Sequence, residues 1–204
     1  GPGSGKTRVI THRIAYLVRE RGVSPYRIAA VTFTNKAARE MRERLSTLMG
    51  PRSRELTAST FHAFCAMVLR REGKHIGLDR NFSIYDDSDQ MAAVKRAMDD
   101  VGFDLAPRGV LTAISSAKSQ LIDPEQFGKG NANYWDEIVH RVYERYEQLL
   151  TRNSAVDFDD LLFKVHFLFH HFKESICVAI EYGYMEAFAG TAAASSWARG
   201  TDRP

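Results

Sequence analysis

The chain has 204 residues, of which 44% are hydrophobic, and its formal net charge is +3. This length is enough for one sizeable core, or for one domain that carries an insertion. Because no apolar run is long enough to span a bilayer, we expect neither a membrane segment nor a secretory leader. The two cysteines, Cys65 and Cys177, lack metal-type spacing, so a reduced, cytoplasmic setting is expected.

The charge is distributed unevenly along the chain. Residues 1–75 contain 15 Lys and Arg against 5 Asp and Glu, whereas the remainder contains 13 against 20. A basic half of this kind favours a polyanion such as nucleic acid as a partner. A basic face that only contacts solvent explains the charge equally well.

The first seven residues read GPGSGKT. They match all but the first position of the phosphate-binding loop G-x-x-x-x-G-K-[ST], whose backbone N–H groups cradle phosphates and whose hydroxyl holds Mg²⁺. The missing glycine would lie one position before Gly1, so we expect the chain to begin inside a longer protein. A flexible Gly/Ser-rich terminus is the alternative, and the helix that follows argues against it.

That helix is predicted to run from Lys6 to near Gly22, with its positive end directed at the phosphates. The predicted apolar face consists of Val9, Ile10, Ile14, Leu17 and Val18.

An α/β pattern comes next. Apolar runs predict a strand at 28–33 and a second strand at about 56–59. A helix that Asn35 would cap lies between them and ends at Gly50-Pro51, and another helix follows at about 61–71. This alternation is typical of a parallel sheet with crossover helices.

From about Asp79 the pattern becomes helical. Amphipathic helices are predicted at 86–101, 107–120 and 133–150, joined by loops that include Pro124 and Gly128, and no strand is expected among them. A further helix, capped by Asp157, is predicted at 158–172. The predicted segments are the first part of an α/β domain at 1–78, a helical insertion at 79–152, a return helix at 153–172 and a divergent or frayed tail at 173–204.

Four motifs occur in order along the chain. They are GPGSGKT at 1–7, AVTFTNKAAREMRERL at 30–45, TFHAF at 60–64 and DFDDLL at 157–162. Together they resemble the N-terminal part of the UvrD/Rep/PcrA family of superfamily-one DNA helicases, and FSIYDDSDQ at 82–90 resembles the start of that family's helical insertion. The resemblance implies an incomplete RecA-like P-loop NTPase domain, α/β with a parallel sheet and an all-helical insertion. It also implies the activity of an ATP-dependent 3′-to-5′ DNA helicase in repair, replication or recombination.

The resemblance further implies that ATP and Mg²⁺ bind at the first motif. Lys6 would offset charge on the β/γ-phosphates, Thr7 would ligate Mg²⁺, and Arg8 would lie near the sugar and base. Lys6 and Thr7 are the predicted catalytic groups. The complete predicted nucleotide-binding set is Gly1, Pro2, Gly3, Ser4, Gly5, Lys6, Thr7 and Arg8.

Two strand-to-helix corners are the predicted contacts for single-stranded DNA and for its junctions with duplex. An aromatic ring at the carboxyl end of a strand can stack on a base, while hydroxyl and amide groups contact phosphate or sugar. Alternatively, Phe33 is a core residue and Asn35 only a helix cap. The predicted DNA-binding set is Thr32, Phe33, Thr34, Asn35, Thr60, Phe61 and His62.

Two groups of residues suggest metal sites. The carboxylates Asp157, Asp159 and Asp160 lie at a helix start, which favours capping and complementing the helix dipole. His166 and His170 are one turn apart but lack an acidic or Cys partner at suitable spacing. Neither group is therefore predicted to bind a metal.

ATP hydrolysis in this family requires a strand that ends in Asp-Glu. The adjacent pair Asp136-Glu137 falls in a helical pattern instead. The second RecA-like domain and its arginines are also missing, so we expect this chain to bind ATP weakly or not at all and not to hydrolyse it. The alternatives left open are a P-loop NTPase without a DNA role, part of a helicase–nuclease subunit, and a decayed fragment.

Overall fold

The computed structural model describes residues 5–130 and 133–171, and its contacts divide the chain into two compact units, one that extends to Phe64 and one that begins at Cys65. The helices are α1 Lys6–Arg19, α2 Asn35–Met49, α3 Phe61–Glu72, α4 Asp87–Val101, α5 Pro107–Ser119, α6 Pro124–Lys129, α7 Tyr134–Arg152 and α8 Phe158–His171. The strands are β1 Ala29–Thr32, β2 Thr57–Thr60, β3 Ser83–Ile84 and β4 Ala155–Val156, and 3₁₀ turns lie at Pro25–Arg27, Gly50–Glu55 and Gly73–Ile76.

The first unit is built on a parallel pair of strands. β1 and β2 align from Ala29 opposite Thr57 to Thr32 opposite Thr60. Parallel strands need a crossover connection, and α2 provides it between these two. The predicted α/β class is confirmed, with a mostly helical fold and small parallel sheets.

The core of the first unit lies between α1, α2 and the sheet. Its buried members are Ile14, Ala15, Val18, Ala30, Met41, Leu45, Met49 and Leu56. Val9 and Ile10, predicted on the buried face of α1, are exposed. The prediction is wrong for this pair because the buried side of α1 begins at Thr11 and continues through Ile14, Ala15 and Val18.

The start of α2 also differs from its prediction. Thr34, rather than Asn35, is the N-cap, and its Oγ1 accepts a hydrogen bond of 3.2 Å from the backbone N–H of Ala37. Asn35 is the first residue of the helix. Thr and Asn are both common at N-cap positions, so the sequence alone does not show which of Thr34 and Asn35 is the N-cap.

The second unit is mainly helical. Side chains from α4, α5 and α7 form its core, which includes Val94, Ile114, Val142 and Tyr146. Among the described residues, no helix is both long and apolar enough to cross a membrane.

Two elements of the second unit were not predicted. Residues 124–129 form α6 rather than a loop, because Asp123 Oδ1 accepts from the Gln126 N–H at 2.7 Å and Pro124 occupies the first helical turn. β3 and β4 pair in parallel, although no strand was expected between 79 and 152. Two-residue strands are too short to show an alternating pattern. The domain boundaries remain predictions, and the tail at 173–204 lies outside the described residues.

Candidate functional site

The two strands of the first unit end at the same edge of the sheet. Thr32 and Thr60 lie opposite each other in the register, and each is followed directly by a phenylalanine and then by a helix. Ligands in open parallel sheets bind at this carboxyl edge. The structure therefore brings the predicted DNA-binding segments 32–35 and 60–62 side by side.

An aromatic pair marks this edge. The rings of Phe33 and Phe61 are stacked, with centroids 6.5 Å apart and planes inclined by 16°. Phe61 is only 8% exposed, whereas Phe33 is 77% exposed. The alternative interpretation, that Phe33 is a core residue, is therefore wrong. One side of its ring packs on the buried Phe61 and the other side faces solvent.

The threonines at this edge hold the helices in place. Thr34 caps α2, and the Thr60 Oγ1 accepts from the backbone N–H of Ala63 at 3.3 Å in the first turn of α3. Arg42 of α2 donates to the Ala58 carbonyl of β2 at 3.0 Å, which ties the crossover helix to the strand. These three side-chain hydrogen bonds fix α2 and α3 to the strands at this edge of the sheet.

The N-terminus of α1 is a second element of the candidate site. Gly5 is its N-cap, in the left-handed conformation with φ +74°, and its carbonyl accepts from the Val9 N–H at 3.0 Å. Within the described part of the chain, no side chain accepts a bond from the first-turn N–H groups, and that turn has no acidic residue. Free N–H groups at a helix N-terminus suit a phosphate.

The other predicted nucleotide-binding residues are described only in part. Thr7 is half-buried and Arg8 is exposed. Gly1, Pro2, Gly3 and Ser4, together with the side chain of Lys6, lie outside the described residues.

The family model described as UvrD/REP helicase N-terminal domain matches residues 1–186. The chain belongs to this family. It is 48% identical over 179 residues to the ATP-dependent DNA helicase PcrA of Bacillus subtilis strain 168, which covers 85% of this chain and 24% of the relative. The protein of the same name from Staphylococcus aureus strain Mu50 is 45% identical over 177 residues, again 85% of this chain and 24% of the relative. The chain thus spans about a quarter of the length of these curated relatives.

The three carboxylates of DFDDLL at 157–162 accept hydrogen bonds from the protein itself. Asp157 caps α8, as predicted: its Oδ1 accepts from the Asp160 N–H at 2.7 Å, and Asp160 Oδ2 accepts from the Asp157 N–H at 3.2 Å. Asp159 accepts a hydrogen bond from Ser115 Oγ at 2.5 Å. No metal-type group of His, Cys, Asp or Glu occurs among the described residues.

The remaining candidates lie on helices of the second unit. The rings of His166 and His170 on α8 are stacked, with centroids 6.1 Å apart, and burial and the neighbouring histidines lower the pKa of His166. Asp136 and Glu137 lie in the first turn of α7, so the expectation of a helix at that acidic pair is confirmed.

Sequence reasoning missed Lys118. Its Nζ donates to Asp157 Oδ2 at 2.7 Å and to Asp160 Oδ1 at 2.9 Å, and its side chain is 1% exposed. Its spacing could have indicated that it is buried, because Lys118 lies one turn after Ile114 and two turns after Val110 on the apolar face of α5.

Proposed function

We propose that this chain is the N-terminal, ATP- and single-stranded-DNA-binding part of an ATP-dependent 3′-to-5′ DNA helicase, in a RecA-like P-loop domain. The observation that carries the proposal is the exposed ring of Phe33, stacked on Phe61 at the edge where β1 and β2 end. Family membership supports it, and so does the activity named for the relatives, the ATP-dependent DNA helicases PcrA. A cytoplasmic setting belongs to the same proposal.

DNA binding at this edge rests on stacking and on phosphate contacts. A base can stack on the outer side of Phe33 without regard to its identity, because every base has a π-face. The exposed Thr34 and Asn35 lie next to this ring at the start of α2, whose N-terminus favours an anion. Thr32, Thr60, Phe61 and His62 complete the proposed contact set.

In the whole protein, ATP is proposed to bind at the start of α1, whereas this chain by itself is expected to bind it weakly or not at all. The left-handed Gly5 and the first turn of α1, which has no side-chain cap among the described residues, fit a phosphate. The adjacent Lys6 and Thr7 are the residues that would hold the β/γ-phosphates and Mg²⁺. Bound ATP would supply the free energy for movement along DNA. In the whole protein, a second RecA-like domain is proposed to complete this site.

The DNA proposal is tested by fluorescence anisotropy with a labelled oligo-dT of about 16 nucleotides. Binding should weaken several-fold or more between about 50 and 200 mM salt, because phosphate contacts release counterions. Replacing Phe33 by Ala should weaken binding roughly 5- to 150-fold, as expected when a stacking platform worth ~1–3 kcal/mol is removed.

Tyr26→Ala is the matched control. Tyr26 is an equally exposed aromatic residue of the first unit, but its 3₁₀ turn precedes β1 and so lies toward the amino end of the strands. It should leave the affinity unchanged. Absence of binding at low salt, or equal losses for the two variants, would contradict the proposal and favour an NTPase without a DNA role.

A further inference from the structure

A buried charge cluster connects three helices of the second unit. Lys118 of α5 lies 2.5 Å from Glu147 Oε1 of α7, 2.7 Å from Asp157 Oδ2 and 2.9 Å from Asp160 Oδ1. The lysine and both aspartates have side chains no more than 1% exposed. We call these four residues and Lys164 the Lys118 cluster.

The three carboxylates of the cluster are not equivalent. Lys164, which is 20% exposed, lies 3.4 Å from Asp160 Oδ1 and 3.4 Å from Glu147 Oε2. Asp160 and Glu147 therefore each contact two ammonium groups. In the described part of the chain, Asp157 forms an ion pair with Lys118 only.

Asp157 also has neutral partners. Its Oδ2 accepts from the Tyr146 hydroxyl at 2.9 Å, and its Oδ1 accepts from the Asp160 N–H at the start of α8. These donors suit an ionised carboxylate, and they also leave it hydrogen-bonded when it carries a proton.

We propose that Lys118 is the positioning residue of the DFDDLL motif: it fixes the start of α8 to α5 and α7 by neutralising Asp157, and a proton on Asp157 can replace it. The cluster lies wholly within the second unit, so this proposal does not depend on ATP or DNA binding.

The physical basis is the cost of a buried, unpaired charge. Removing one partner of a buried ion pair is strongly destabilising, because the remaining charge stays out of water without compensation. A carboxylate in that position responds by taking up a proton. Without Lys118, all three carboxylates lose a cation, but Asp160 and Glu147 still contact Lys164, whereas Asp157 has no second cation in the described part of the chain.

The pKa shifts agree with this arrangement. Burial, followed by the charge of Asp160, raises the pKa of Asp157, and Lys118 opposes that rise. Burial also acts to raise the pKa of Asp160, but the charges of Lys118 and Lys164 bring it below its usual value. The pKa of Lys118 is held well above its usual value by the three carboxylates, against the effect of burial.

The sign of the pH dependence follows from Asp157. In a variant without Lys118, the folded state binds a proton more tightly than the unfolded state, so stability falls as pH rises through the folded-state pKa of Asp157. The titratable or charged groups that interact with Asp157 directly are Lys118 on α5, Tyr143 and Tyr146 on α7, and Asp160 on α8. Glu147 and Lys164 act on it through Lys118 and Asp160.

The test measures thermal unfolding of the 204-residue chain by circular dichroism at about pH 8 and about pH 5. Lys118→Met should lower the unfolding midpoint at the higher pH by at least about 10 °C. At the lower pH, where Asp157 can take up its proton, the loss relative to wild type should shrink by at least about half.

Second substitutions identify the carboxylate. Adding Asp157→Asn to Lys118→Met should restore at least about half of the lost midpoint at the higher pH, because the uncharged amide oxygen still accepts from the Asp160 N–H and its NH₂ group can donate to the Tyr146 oxygen. Adding Asp160→Asn instead should restore less than half as much, since it removes one repelling charge but leaves Asp157 without a cation. Lys129→Met is the surface control: Lys129 forms an exposed pair with Glu125, and its loss should shift the midpoint by less than about 2 °C.

Amide hydrogen exchange distinguishes a local loosening at the start of α8 from a loss of stability throughout the chain. In Lys118→Met at the higher pH, the Asp160 amide should exchange at least about tenfold faster, while the Leu45 amide of the first unit stays unchanged. If Lys118→Met does not fold at the higher pH, recovery of its folded signal at the lower pH, or in the Asp157→Asn double variant, supports the proposal. A wild-type midpoint for Lys118→Met, or failure of Asp157→Asn to rescue it, overturns the proposal.

Discussion

The two units place their motif residues in opposite ways. In the first unit, Phe33 is exposed on top of Phe61, and Thr34 and Asn35 beside it face solvent. In the second unit, the carboxylates of DFDDLL turn inward, where Lys118 and Ser115 hold them. The motif residues at 33–35 are thus accessible from solvent, whereas the carboxylates of DFDDLL make contacts that stabilise the fold.

Among substitutions that test this contrast, the largest expected effect is a loss of stability in the second unit. Asp160→Ala should lower the free energy of unfolding by about 3–5 kcal/mol, because it removes a buried carboxylate from two lysines and from the α8 cap. Urea unfolding measures the loss. Oligo-dT affinity of the folded variant should stay at the wild-type value, and a parallel fall in affinity would show that the contrast between the units is wrong.

A smaller effect is expected at the edge of the first unit. Thr34→Ala should cost about 1 kcal/mol of stability, because it removes the N-cap of α2. Thr34→Ser keeps the hydroxyl and should restore most of that stability. Thr47→Ala changes an exposed residue within the same helix whose hydroxyl bonds only to the preceding turn, and it should stay within about 0.5 kcal/mol of wild type.

No effect is expected from Lys6→Ala on ATP turnover by this chain. Hydrolysis needs a carboxylate placed to hold Mg²⁺ and orient water, and the adjacent Asp136–Glu137 pair lies in a helix of the second unit. A phosphate-release assay should therefore give the same background rate for the chain and the variant. Turnover that disappears in Lys6→Ala would disprove this expectation.

Much of the first unit could be predicted because its signals are local. The apolar run before Phe33 indicates a buried strand, and Gly50-Pro51 ends a helix because glycine takes the positive φ found there. Phe33 was predicted as a stacking contact, with a core position as the alternative, and the sequence alone could not decide between the two. The structure decides, because Phe61, directly after β2, fills the buried position beneath the Phe33 ring.

In the second unit, tertiary context decided what the sequence left open. Lys118 is a residue type that is rarely buried, so its position on the apolar face of α5 was passed over. Its partners lie in α7 and α8, far along the chain, and no local pattern connects them. The α6 helix escapes prediction for a different reason: Pro124 is typical of a loop and equally typical of a first helical turn, where it lies here.

The short pairing of β3 with β4 has a consequence for how this protein can vary. The Ser83 N–H donates to the Ser154 carbonyl and the Tyr85 N–H to the Val156 carbonyl, so residues 85–154 leave and rejoin the fold at adjacent points. A segment with neighbouring ends can change length in its exposed loops without separating β3 from β4. We therefore expect insertions to be tolerated in the loops that join these helices, whereas Lys118 and Glu147 must stay in place because they hold the start of α8.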